Sequence, residues 1–221
     1  MKKFYFISLL LFFGHSLSAQ LFKIAGHEIG FIYAGPKLGM NFSKITNWSE
    51  FGSVQNKTKT GYQLGAVGEI GITNKLSLQS ELSFISNGTR LDDTSAANFD
   101  AKIKTKYIGI PLLARMSFRV LGLRKVYAMG GSYQNIRTGG SYVSTDYNEP
   151  LNSEGWRRID WGLMLGAGAE YPLKEGVIGL DLRYEMGFLD AHISDRAKNR
   201  HRSFKINLVY KFDLVDFLLK L

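Results

Sequence analysis

The chain has no cysteine among its 221 residues, which excludes a disulfide framework, thiolate metal ligation and a cysteine nucleophile. Prolines number only four, and beyond the first twenty residues no apolar run approaches the ~20 residues of a membrane helix. The longest candidate, 108–114, is interrupted by Gly109 and Pro111, so a helical membrane protein is excluded. Charged residues make up 21% against 45% apolar, too little charge for an intrinsically disordered chain. Internal repeats, low-complexity tracts and compositional breaks are also missing, which leaves one mature domain. Abundant instead are 24 glycines and 15 Phe, 11 Tyr and 3 Trp, a mixture that favours extended structure over helices. Lysine and arginine exceed Asp and Glu by 28 to 19, a formal +9 that bears on association and solubility rather than on fold.

The N-terminus reads as an address. Lys2 and Lys3 form a basic start, Phe4 to Phe13 an apolar stretch about half the length of a spanning helix, and Ser16-Leu17-Ser18-Ala19 a small-residue cleavage region. Residues 1–19 are thus expected to be a secretory signal cut after Ala19. Its removal lowers the positive excess by two and leaves an exported, still basic protein.

Hydrophobicity then alternates with period two. Leu76, Leu78, Leu82 and Phe84 oppose Ser77, Gln79, Glu81 and Ser83, and the pattern recurs over 177–188 and 204–212. Further strands are expected at 32–42, 62–72, 108–118, 126–133 and 160–171, eight in all. In the fifth, Tyr127, Met129 and Tyr133 are assigned to the apolar face. The connections alternate in length. Those at 73–75, 119–125 and 172–176 are tight turns, whereas 43–60, 87–105, 134–158 and 189–203 are long and polar. Short turns at one end, long loops at the other and both termini on the short side describe an eight-stranded antiparallel up-and-down transmembrane β-barrel, all-β, with short periplasmic turns and long extracellular loops.

A soluble barrel would also alternate, with its apolar face inside. Two features decide against it. Aromatics on the apolar parity fall into two girdles: Phe42, Tyr62, Phe84, Trp161, Phe188 and Phe204 near the long loops, and Phe118, Tyr171 and Phe212 near the short turns. The polar parity mixes glycines with both signs of charge, at Lys37, Glu69, Glu81, Arg115, Asp160, Glu170, Asp181, Arg183, Glu185, Lys205 and Lys211. A cramped lumen needs small residues beside paired charges, and a water-facing surface does not.

These residues resemble a known family. Ala34-Gly35-Pro36-Lys37-Leu38-Gly39-Met40-Asn41-Phe42-Ser43 resembles the opening strand of the small outer-membrane β-barrel domain of Bacteroidetes, the porin-family or PorT-like proteins of the Gram-negative envelope. Tyr107-Ile108-Gly109-Ile110-Pro111-Leu112-Leu113, Asp160 to Gly168 and the closing Val209-Tyr210-Lys211-Phe212 are similar to that family as well, although its members favour an acid where Gly109 stands. The resemblance covers 20–212, the expected barrel domain, and implies location in the bacterial outer membrane. The tail from Asp213 to Leu221 departs from it, running on past the usual end of the barrel as an extension of unassigned role.

Catalytic chemistry is poorly supported. His192-Ile193-Ser194 has the spacing of lipid A deacylases, but the acid that pattern places on the next strand is Phe204 here, and Asp195 replaces the Asn after the serine. A serine needs a base, and the base an orienting partner, so the surface hydrolase reading lacks its triad and a non-enzyme is expected. His192, His201, Asp190 and Asp195 share a loop at spacings that fit no metal motif. No cofactor and no nucleic-acid partner is expected. The run Arg196, Lys198, Arg200, Arg202 has two readings, contact with lipopolysaccharide phosphates by charge-assisted hydrogen bonds and an ordinary solvated loop. Glu69, Glu81, Arg115, Glu170, Asp181, Arg183 and Glu185 are assigned to a lumen charge network that plugs the barrel, against a narrow porin-like channel as the alternative. The expected partners are outer-membrane lipid and lipopolysaccharide, and the expected role is that of a structural or interaction barrel, of which a subunit of an envelope or secretion complex, bound to other envelope proteins, is one form.

Overall fold

The computed structural model describes residues 23–24, 27–28, 31–45, 54–93, 100–120, 123–143, 148–150, 157–190 and 200–214. Eight antiparallel staves make the fold: β1 (Phe31–Ile45), β2 (Val54–Gly71), β3 (Leu76–Asp93), β4 in two segments (Asp100–Gly109 and Leu112–Val120), β5 (Leu123–Val143), β6 (Ile159–Leu173), β7 (Gly176–Asp190) and β8 (Arg200–Asp213). Each pairs with its sequence neighbours, and β8 pairs with β1, from Phe204 opposite Phe42 to Asp213 opposite Tyr33, so the sheet closes. Closure leaves these eight staves without a first or last strand. Ile110 and Pro111 interrupt β4, where proline has no N–H for the ladder; the backbone C=O of Pro111 still accepts from Glu81 N.

Alternation places opposite chemistries on the two faces of every strand. Outward stand Leu38, Met40, Leu64, Leu82, Leu165, Leu182 and Leu208, with Tyr62 and Phe84 the most exposed of the large apolar side chains at 68% and 64%. The aromatic girdles form as the pattern requires: Phe42 and Phe204 lie 6.5 Å apart, and Trp161 meets Phe188 edge-on at 5.3 Å. From Trp161 to Tyr171 is about 34 Å of strand, which at a tilt near 40° gives the ~25 Å height of an apolar membrane band.

Two expectations are corrected. The strands run farther beyond the upper girdle than the apolar pattern does: 43–45, 54–60, 87–93, 100–105 and 134–143 are extended and paired, and the long polar connections are correspondingly shorter. Outside the membrane neither face has to be apolar, so the period-two signal fades while the ladder continues. In β5, moreover, Tyr127, Met129 and Tyr133 face the lumen, and Ala128, Gly130, Ser132 and Gln134 face outward. The register supplies the reason. Tyr127, Met129 and Tyr133 pair with Gly168, Gly166 and Gly162 of β6, whose missing side chains leave the interior room that these three fill. With Leu113 and Met164 they form a small apolar cluster inside the barrel. A Cβ at Gly168 would lie 2.5 Å from the Tyr127 ring.

Candidate functional site

The interior is the most chemically concentrated part of the molecule, and its charges meet in layers. Nearest the short turns, Glu69 of β2 sits between two cations from distant strands. Arg115 Nη1 of β4 donates to its Oε2 at 2.9 Å, Lys211 of β8 donates to the same oxygen, and Ser77 Oγ donates to Oε1 at 2.6 Å. Glu170 of β6 completes the square, 2.6 Å from Arg115 Nη2 and accepting from Lys211 Nζ at 2.5 Å. The Arg115 guanidinium also lies 3.5 Å over the Tyr127 ring. Two acids and two cations thus tie β2, β4, β6 and β8 together across the lumen.

The middle layer centres on Arg183 of β7. Its Nε and Nη2 grip Asp181 bidentately at 2.7 and 2.8 Å, and Nη1 reaches across to Glu81 Oε1 on β3 at 2.7 Å. Glu81 is also paired with Lys37 of β1 and accepts from Gln79 Nε2 at 2.6 Å. Asn207 Nδ2 donates to Asp181 Oδ1 at 2.7 Å, and Gln63 donates to Asn207. A bidentate fork fixes angle as well as distance, which a lysine could not do at this position.

Above this the lumen changes character. Lys205 Nζ pairs with Glu185 at 2.5 Å, and then come Tyr133 donating to Asp160 at 3.3 Å, His201 Nδ1 3.9 Å from Asp160, and the amide pair Asn41 and Asn87. Asn41 Oδ1, Ser83 Oγ, Asn135 Nδ2, Glu185 Oε2, His201 Nδ1 and Ser203 Oγ are buried here without a protein hydrogen-bond partner. Groups of that kind are met by water. Even so, the cavity lined by Lys37, Gln63, Ser83, Asn135, Arg183, Glu185 and Lys205 holds only about 10 Å³, room for about one water molecule.

All seven residues assigned to the network from sequence are buried in the lumen, and the ion pairs link them into these layers. Three lysines that share their parity, Lys37, Lys205 and Lys211, supply the missing counter-charges. Five Lys/Arg (Lys37, Arg115, Arg183, Lys205, Lys211) then face five acids (Glu69, Glu81, Glu170, Asp181, Glu185), so these buried charges sum to zero. Alternation already placed these lysines on the polar parity, but only closure of β8 onto β1 shows which acids they meet. Of the basic run, Arg200 and Arg202 open β8, Arg202 in register with Lys44 and on the outward parity of Phe204 and Leu208. Arg196 and Lys198 lie outside the described residues, as do His192, Ser194, the cleavage region and residues 215–221. Among the described residues no group of His, Asp and Glu could hold a metal ion.

A closed barrel with an apolar outer belt, aromatic girdles and a charged interior is an outer-membrane β-barrel of the bacterial envelope. More particularly, the family model described as "Outer membrane protein beta-barrel domain" matches residues 18–192, and the chain belongs to that family. Among solved structures, the outer membrane protein OprG from Pseudomonas aeruginosa is similar with a TM-score of 0.51 and 16% identity, covering 86% of this chain and 100% of that one. Neisserial surface protein A follows at 0.47 and 14%, covering 85% and 100%, and the attachment invasion locus protein Ail of Yersinia pestis at 0.40 and 17%, covering 81% and 98%. At 16% identity the likeness to OprG is one of fold. No curated protein matches the chain.

Proposed function

We propose that this protein is a plugged, non-enzymatic outer-membrane barrel of PorT-like type, exported by a signal cleaved after Ala19, whose work is interaction at the membrane surface and not transport through the lumen. The observation that carries the reading is the cross-lumen square of Glu69, Arg115, Glu170 and Lys211 below the Arg183–Glu81 bridge. In an eight-stranded barrel side chains nearly fill the interior, and here they are also ion-paired, so moving any one aside strands a buried charge. A narrow channel is disfavoured on that ground. Interaction then falls to the outer wall, the extracellular loops and the segment beyond Asp213, with Arg196, Lys198, Arg200 and Arg202 assigned to lipopolysaccharide and the loops to other envelope proteins.

The test is isolation of the tagged, full-length protein from its own outer membrane in mild detergent. Recovery of a stoichiometric partner, lost when the 191–199 connection is replaced, supports a subunit docked through its loops. Recovery of the barrel alone under conditions that preserve other envelope complexes argues against the subunit role.

A further inference from the structure

The charge balance of the interior has a consequence for the exterior. Since the ten buried lumen charges cancel, the positive excess of the chain, 28 basic against 19 acidic residues, resides elsewhere. Part of it lies on the outer wall just beyond the upper girdle. On β4, Lys102, Lys104 and Lys106 have the parity of Ile108, which pairs with the lipid-facing Phe84, and Tyr107 of the opposite parity packs toward the lumen residue His201, 6.4 Å between rings. The three lysines therefore rise in a column on the lipid-facing side of the wall. Lys106 is in register with Ser86, itself opposite the exposed girdle residue Tyr62, so the column starts at the membrane boundary and climbs outward.

Neighbouring strands extend it. Lys59 of β2 reaches over Gly88 of β3, whose backbone pairs with Lys104, and a Cβ on Gly88 would lie 2.8 Å from both Cδ and Nζ of Lys59. The carbonyl oxygen of Ile103, 2.1 Å from the same Cβ position, is what demands glycine there. Partial burial first, and the nearby Lys104 and Lys102 after it, lower the proton affinity of Lys59. Across β1, Lys44 is exposed and in register with Arg202 of β8. The backbones of Asp92 and Asp100 pair farther from the girdle than the lysines.

We propose that Lys59, Lys102 and Lys104, flanked by Lys106, form a binding site on the outer wall for the phosphate groups of an outer-leaflet glycolipid, distinct from Arg200 and Arg202 at the start of β8. Position selects the ligand. A column on the lipid-facing parity directly above an aromatic girdle lies at headgroup level, where a membrane-anchored phosphate arrives with its acyl chains against Leu64, Leu82 and Phe84. A phosphate lying beside Lys59 and the exposed Lys104 accepts charge-assisted hydrogen bonds from their ammonium groups.

The experiment uses the folded full-length barrel in detergent, with bound lipid counted by native mass spectrometry after titration with diphosphorylated lipid A. The site requires retention to fall at least fivefold in K59Q/K102Q/K104Q and in the single exposed change Lys104→Glu, to persist in K59R/K102R/K104R, and to be unaffected by K75Q/K174Q at the opposite end. Folding of each variant is checked by heat-modifiable gel mobility. Undiminished retention by the folded Lys104→Glu protein, equal retention of dephosphorylated lipid A, or full displacement by millimolar inorganic pyrophosphate, which would mark a site for soluble anions, each overturns the proposal.

Discussion

Leu182 and Arg183 are adjacent in β7, yet one meets lipid and the other a fully enclosed salt-bridge network. Leu182 is 47% exposed on the outer wall, and Arg183 is 1% exposed in the lumen. The two faces of this one sheet follow opposite rules. On the outer face a side chain needs only to be apolar, because lipid makes no directional demand, and Leu, Phe and Met are interchangeable at small cost. On the inner face each charge needs a partner at a particular place, since water is largely excluded and an unmatched charge has nowhere to go. The outer face sets where the protein sits, and the inner face sets which single barrel it forms.

Substitutions at these neighbours should separate the two rules. Arg183→Leu leaves Glu81 one cation, Lys37, in place of two and deprives Asp181 of its bidentate partner; a loss of about 3–5 kcal/mol in urea unfolding from micelles is expected. The converse change, Leu182→Arg, puts a charge against lipid near mid-membrane and should cost about 2–4 kcal/mol by the same assay. Removing one end of the upper pair, Lys205→Met, should cost about 1–3 kcal/mol by leaving Glu185 without its counter-ion. Adding Glu185→Gln should recover most of that loss, because an uncharged pair leaves no buried charge. Smallest of all, Leu64→Met on the outer face should stay within about 1 kcal/mol. If Leu182→Arg proved harmless while Arg183→Leu remained costly, the outer wall would not be facing lipid.

Much of this contrast was legible in the chain itself, and the part that was not has a physical cause. Period-two alternation marked the strands because each crosses an apolar slab on one side and a crowded interior on the other, so Leu76 to Phe84 states its own orientation. Pairing parity also named the lumen acids. What alternation could not give was the partnership of Lys211 with Glu69 and Glu170, which depends on closure between β8 and β1 and on strand stagger, both properties of the whole ring. It misread β5 for a related reason: Tyr127, Met129 and Tyr133 look lipid-facing until the glycines across from them on β6 are known to need filling. The extracellular ends of the strands were missed because above the girdle nothing forces one face to be apolar. The lysine column on β4 stands in that same silent region.

The central claim, a lumen closed by its own ion pairs, is tested most directly by electrical recording. The purified, folded protein is inserted into a planar bilayer in molar salt and its current followed over a range of voltage. The layered network predicts no stable unitary steps in the native protein, with flicker arising only when Arg183 and Arg115 are both replaced by alanine. Reproducible, long-lived steps of a size that passes small solutes, seen in the native protein, would contradict it.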